Sequence, residues 1–198
     1  MAGSGSGGRP PSIAAARIVV VDSSPVINFV RAGAQRAFAD FIGDRARVTV
    51  DVARELAAAA RSSAGLARFV KGWPAHEPVD LPGDLKLKAA DILGFIADDP
   101  ASSLQDVGEV TSVLLAQHLR ESGACAEPVL LLDDVRHGKK LAAPRRLRVV
   151  DTPALILEMV SAGAMPEALG RKVWRAAFSD RAKWAAFEER LAQAREQG

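Results

Sequence analysis

An α/β protein built on a parallel sheet is the fold class this sequence predicts, on three observations. Ile18–Val21 is an unbroken run of β-branched residues that stops at Asp22. Pro128–Leu132 is a second apolar run, and it stops at Asp133–Asp134. Short runs that are apolar at every position suit strands buried on both faces. The segments between them carry helical spacing, and strands alternating with helices point to a parallel sheet.

Composition bounds the rest. The 198 residues make one domain, or one domain with an appendage. With 48% hydrophobic and 25% charged residues the chain can bury a sizeable core, as soluble globular proteins do. Ala supplies much of the apolar share, which favours helices. A net charge of +2 is compatible with nucleic acid without requiring it. A single cysteine, Cys125, excludes an internal disulfide and a cysteine metal cluster, and suits a reducing, cytoplasmic setting. His76, His118 and His137 have no metal-ligand spacing. No window approaches the ~20 apolar residues of a membrane helix, so no membrane partner is expected. The opening MAGSGSGGRPPS lacks the apolar core of a signal peptide. Residues 1–16 read as a flexible extension outside the fold.

In chain order, Asp22 has two readings. It stands at the carboxyl end of a strand, where open parallel sheets gather ligands. It also suits the cap of a helix beginning near Pro25. Pro25 to Phe41 reads as one or two helices, with Gly33 as the break. Val48–Val50 is a short strand candidate, followed by a helix from about Val52 to Arg61 with Glu55 on it. Leu85–Ala97 and Gly108–Glu121 follow as helices, the second opening on Glu109. After the second buried strand come a helix over Arg136–Ala142 and a third short strand, Arg148–Val150. A helix then runs from Thr152 through Val160. Two further helical pieces carry Trp174, Phe178, Trp184 and Phe187. The last piece, Lys183–Gln197, is rich in Arg and Glu and reads as well solvated.

Two strands that end in Asp, and two helices with an early Glu, make an acidic constellation. Crowded carboxylates raise one another's pKa unless a cation neutralises them. Mg²⁺ or Mn²⁺ suits such a set, because hard cations prefer carboxylate oxygens. A pair of them can clamp the attacking and leaving oxygens of a phosphodiester. No phosphate-cradling glycine loop and no GxSxG motif competes, and Cys125 reads as a small buried residue before a strand.

Taken in order, VVVDSSPVINF, VARELA, GEVTSVLLAQHL, VLLLDDVRHGKKLA and LRVVDTPALI resemble the PIN-domain family, in its toxin-type branch with a GEA-type third motif. The resemblance spans roughly Arg17 to Val160. It implies a three-layer α/β/α sandwich around a central parallel sheet over residues 17–160, with 161–198 as a helical C-terminal extension. It also implies a metal-dependent ribonuclease, commonly the toxin half of a toxin–antitoxin pair and commonly a homodimer. Its partners would be RNA and a cognate antitoxin, with an antitoxin arginine reaching the carboxylates.

Carried over by position, Asp22, Glu55, Glu109 and Asp134 match the family's catalytic acids. Asp22, Glu109 and Asp134, with Asp133 beside them, are the implied ligands for Mg²⁺ or Mn²⁺. Glu55 is a further ligand or a water-orienting base. Ser24 and Asn28 occupy positions of small polar residues that support the site and meet substrate. Arg136, His137, Lys139 and Lys140 are candidate phosphate contacts, and Arg145, Arg146 and Arg148 form a second basic cluster. Each cluster also reads as a solvated face.

The chain departs from the family in two places. Gly108–Glu109–Val110–Thr111–Ser112 lacks the second acid of the third motif, for which Asp106 is a weaker substitute than a helix cap. Asp151–Thr152 stands where Gly-Thr is usual, and Asp151 reads best as the cap of the next helix. The altered third motif leaves open a catalytically degenerate binding or scaffold protein. A phospho-acceptor domain would place its acid pair at the first strand, not at the later one as here.

Overall fold

The two all-apolar runs become the two central strands of the sheet. The computed structural model describes residues 13–73, 77–96, 107–133, 138–178 and 180–196. Its strands are β1 (Val19–Val21), β2 (Ala46–Arg47), β3 (Val129–Leu131) and β4 (Arg148–Val150). They pair in the order β2-β1-β3-β4, all parallel. Val19, Val20 and Val21 stand opposite Val129, Leu130 and Leu131.

Side chains alternate across a strand, and here the alternation divides the interior in two. Val19, Val21, Val129, Leu131 and Val150 belong to one core. Val20, Leu130 and Leu132 belong to the other. Helices therefore cover both faces, an arrangement compatible with a three-layer sandwich.

The first face is covered by α1 (Ser23–Arg31), α2 (Gln35–Ile42), α3 (Val50–Ala60) and α4 (Ala64–Gly72). Gly33 separates α1 from α2 at φ +74°, a conformation that a Cβ would disfavour. The second face is covered by α5 (Gly83–Ile96), α6 (Val107–Glu121) and the short α7 (Gly138–Ala142). Val110, Val113 and Leu114 of α6 are all but sealed from solvent. Each such side chain stabilises the fold by about 1.5–3 kcal/mol through apolar burial.

The strand candidate Val48–Val50 is replaced by β2, which starts two residues earlier, at Ala46. Thr49 takes the N-cap of α3, its hydroxyl accepting the Val52 N–H at 3.2 Å. That capping bond draws Val50 into the helix, and the strand ends at Arg47. Thr49 keeps a parallel bridge to Val79.

The tail is part of the first face. It comprises α8 (Thr152–Ser161), α9 (Glu167–Ala177) and α10 (Arg181–Glu196). Trp174 stacks on Phe187 at 5.6 Å and meets Trp184 edge-on at 4.7 Å. Phe187 and Leu191, one turn apart, are buried in the first core. The Arg- and Glu-rich composition of this helix hides that apolar stripe: most of its described residues are solvated as expected, while Phe187 and Leu191 are not. Ile13 and Ala16, inside the stretch expected to be an extension, are buried in the same core. The Ile13 N–H donates to Glu158 of α8, which also pairs with Arg148 at 3.2 Å.

Among the described residues, no helix is long and apolar enough to cross a membrane. The sheet order reverses between β1 and β3: the chain leaves β1 for β2 on one side and β3 for β4 on the other. Such a switch point opens a crevice beyond the carboxyl ends of the two strands.

Candidate active site

Asp22 occupies that crevice because β1 ends there. Its N–H donates to the Leu131 carbonyl at 3.0 Å, the last rung of the ladder. Its side chain caps α1, accepting the Ser24 N–H at 3.3 Å. The two readings of Asp22 thus coexist, and the acid is only 2% exposed. Burial pushes its carboxyl up to about 7. The negative charge of Glu55 adds to that push, the Ser23 and Ser24 N–H groups oppose it, and Asp133 adds a smaller one.

Glu55 reaches the crevice from α3 and is held at both oxygens. Oε2 accepts the Ser23 hydroxyl at 2.6 Å, and Oε1 accepts the Gly108 N–H at 3.0 Å. A Cβ on residue 108 would stand 2.5 Å from Oε1. Gly108 is therefore what lets the start of α6 close on Glu55. A hydroxyl pair, Thr49 to Thr111 at 3.0 Å, ties the same two helices together. Glu109 follows on the first turn of α6, half-buried, with Oε2 screened from solvent.

Asp133 ends the second central strand. Oδ1 accepts the Thr152 N–H at 2.7 Å, and Oδ2 accepts the Thr152 hydroxyl at 2.8 Å and the Asn28 amide at 3.0 Å. Burial raises its carboxyl above the usual range, the Thr152 and Asn28 bonds pull it down, and Asp151 pushes it up again. Asn28, 8% exposed, is thus an anchor for Asp133 and not an open substrate contact. Ser24 contributes its N–H to Asp22.

Asp151 is the cap of α8, accepting the Ala154 N–H at 3.0 Å, and pairs with Lys139 at 2.7 Å. Lys140 is exposed. The other basic cluster stands elsewhere. Arg145, Arg146 and Arg148 lead into β4 or begin it, so they belong to the amino end of the sheet. Arg145 is engaged by Gln117 at 2.7 Å and by the Leu141 carbonyl at 2.6 Å. As phosphate contacts for a site at Asp22 these three are corrected. Asp106, Asp134, Arg136 and His137 lie outside the described residues.

The crevice therefore brings together Asp22, Glu55 and Asp133, with Glu109 beside Gly108. Among the described residues, no three acidic, histidine or cysteine side chains form a ready-made metal group. The donor chemistry nevertheless suits a hard divalent cation. The acids offer oxygen alone, and the Asp22 carboxyl, raised first by burial, is raised further by the negative charge of Glu55, which a cation would neutralise. Asp133 Oδ1 accepts one hydrogen bond, from the Thr152 N–H, and a carboxylate oxygen has two lone pairs.

Three contributors escape a reading of the sequence. Ser23 orients Glu55, Thr152 orients Asp133, and Gly108 admits Glu55. Ser23 and Thr152 each sit at or beside a helix cap, and capping alone accounts for their residue types. No family model, curated protein or solved structure matches this chain.

Proposed function

We propose that this chain is a metal-dependent endoribonuclease of the PIN-domain type, cutting RNA phosphodiester bonds at the crevice beyond β1 and β3. The observation that carries the reading is Asp22: a sealed carboxylate at a sheet switch point, raised to about 7 by burial and by a second acid. An acid shifted by burial together with a specific charged neighbour is a functional-site candidate. Mg²⁺ or Mn²⁺ would be held by Asp22 and Glu109, with Asp133 and Asp134. When bound, the cation supplies the positive charge that phosphodiester hydrolysis needs at the attacked phosphate.

The chain's own residues do the positioning. Ser23 and Gly108 fix the Glu55 carboxylate, which acts on Asp22 through its charge. Thr152 and Asn28 fix Asp133. With its carboxyl raised to about 7, Asp22 holds a proton in part of the molecules near neutral pH, and cation binding would displace it. Exposed Lys140, and Lys139 on leaving Asp151, are the described cations that an RNA backbone would meet. A toxin role, an antitoxin covering the acids, a homodimer and a cytoplasmic setting belong to the same proposal and rest on the resemblance.

The test is cleavage of a mixed RNA pool with Mg²⁺, with Mn²⁺ and with EDTA, beside Asp22→Asn. Cutting that needs the metal and vanishes in the variant supports the reading. A fully active Asp22→Asn protein sinks it.

A second reading, a catalytically degenerate binding protein, is favoured by the oxygens of Glu55 and Asp133. All four accept hydrogen bonds from the chain itself. On that reading the folded protein binds RNA without cutting it under any metal.

A further inference from the structure

The amino end of the sheet, opposite the acids, holds a cavity of about 740 Å³. Ligand sites for small molecules run from about 300 to 1,000 Å³. Its lining includes Arg17, Arg120, Arg146 and Arg148, against a single acid, Glu127. Between the arginines the walls are apolar, from Ala16, Pro128 and Leu147.

Two features distinguish this wall from a solvated basic face. Arg146 has φ +51° and is the one non-glycine residue with positive φ among the described residues. It stands just past α7, where a helix end usually takes glycine. Its carbonyl is held by Arg120 Nη1 at 3.2 Å, which couples two of the four arginines. Arg148 gives Nη2 to Glu158 at 3.2 Å, an ion pair that holds this arginine in place on the cavity wall.

We infer that this cavity binds a small organic phosphate of mononucleotide size. Arginine forks match phosphate oxygens, and several arginines can serve the oxygens of one group. The apolar walls would take the uncharged body, for which bare phosphate has no counterpart. This site stands apart from the acids and does not depend on their being catalytic.

Calorimetric titration of the full chain with UMP and AMP tests it, with inorganic phosphate and citrate as comparison anions. A mononucleotide is expected to saturate the protein at or below ~1 mM, with phosphate and citrate weaker. Arg146→Gly should weaken binding about tenfold, the worth of one charged hydrogen bond. The same variant should not lower the thermal midpoint, because glycine is at ease at positive φ. Arg120→Gln gives an independent loss, and Asp22→Asn should bind as the parent does.

No saturation by either nucleotide would overturn the inference. So would undiminished affinity in both arginine variants, or citrate binding as tightly as the nucleotides. Loss of binding in Asp22→Asn would place the nucleotide at the acidic end and overturn it as well. If a short RNA bound through Arg120 and Arg146 while mononucleotides did not, the wall would be a nucleic-acid surface instead.

Discussion

Gly108 donates its N–H to the Glu55 carboxylate at 3.0 Å, and a Cβ at that position would stand 2.5 Å from the same oxygen. The start of one helix and an acid from another thus close on each other only through a missing side chain. Gly108→Ala should displace the Glu55 carboxylate. The helix gains up to about 1 kcal/mol in propensity from alanine, against about 1–3 kcal/mol for the broken bonds. The net change is therefore a loss of up to about 2 kcal/mol. Asp22 would titrate at lower pH, because a negative neighbour has moved away. A carboxyl titration followed by NMR reads this, and an unmoved Asp22 would contradict the coupling.

Asp22 also sets a pH dependence of stability. Its carboxyl ionises at about 7 in the fold against an ordinary value of 3.8. Between those values the native state holds a proton that the unfolded chain has lost, so stability falls as pH rises. The contribution is fully present below pH 3.8 and gone above about 7. The span corresponds to about 4 kcal/mol. Asn keeps the capping role at this position. Asp22→Asn should therefore be more stable than the parent at pH 8, with the gain shrinking towards pH 4. Urea melts at both ends of the range check this, and a constant offset would refute it.

Cation binding should release that proton. Titrating Mn²⁺ near pH 6.5, in buffers of different ionisation enthalpy, should report release of up to about one proton per protein. Asp22→Asn should release less. Equal release from both proteins would remove Asp22 from the cation site.

The C-terminal helix should behave as core. Phe187→Ala should cost about 3–5 kcal/mol and Leu191→Ala about 2–5 kcal/mol, as for other buried side chains. Denaturant melts with an unchanged slope measure both. A loss below about 0.5 kcal/mol would be that of a surface position instead.

Much of this framework is legible in the residues. Ile18–Val21 and Pro128–Leu132 announce buried strands because nothing polar interrupts them, and Asp22 and Asp133 then fall at strand ends. Asp151 reads as a cap and is one. Legibility fails where two local forces compete or where charge hides a stripe. Thr49 can extend a strand or cap a helix, and capping takes Val50 from the strand. Phe187 and Leu191 are two apolar residues among many charges, yet they are buried. The site is legible in its acids and hidden in its supports. Ser23, Gly108 and Thr152 act across long sequence separations, and no local pattern records them. Nor does proximity in sequence tell which end of a strand a basic cluster meets, as Arg145, Arg146 and Arg148 illustrate.

The central pair of strands has a further consequence. Val19, Val20 and Val21 face Val129, Leu130 and Leu131, and beyond them lie Leu132 on one strand and Ile18 on the other. Sliding one strand by a residue normally turns its apolar side outward and is punished for it. Here every position is apolar, so a slip would exchange valine for valine between two equally dry faces. The alignment must be written at the ends of the runs, in Pro128, which has no N–H to offer, and in Asp22. The acid proposed to do the chemistry is then also the peg against which the sheet is indexed. A substitution that removes its charge but keeps its capping oxygen preserves the index, while one that makes it another valine erases it.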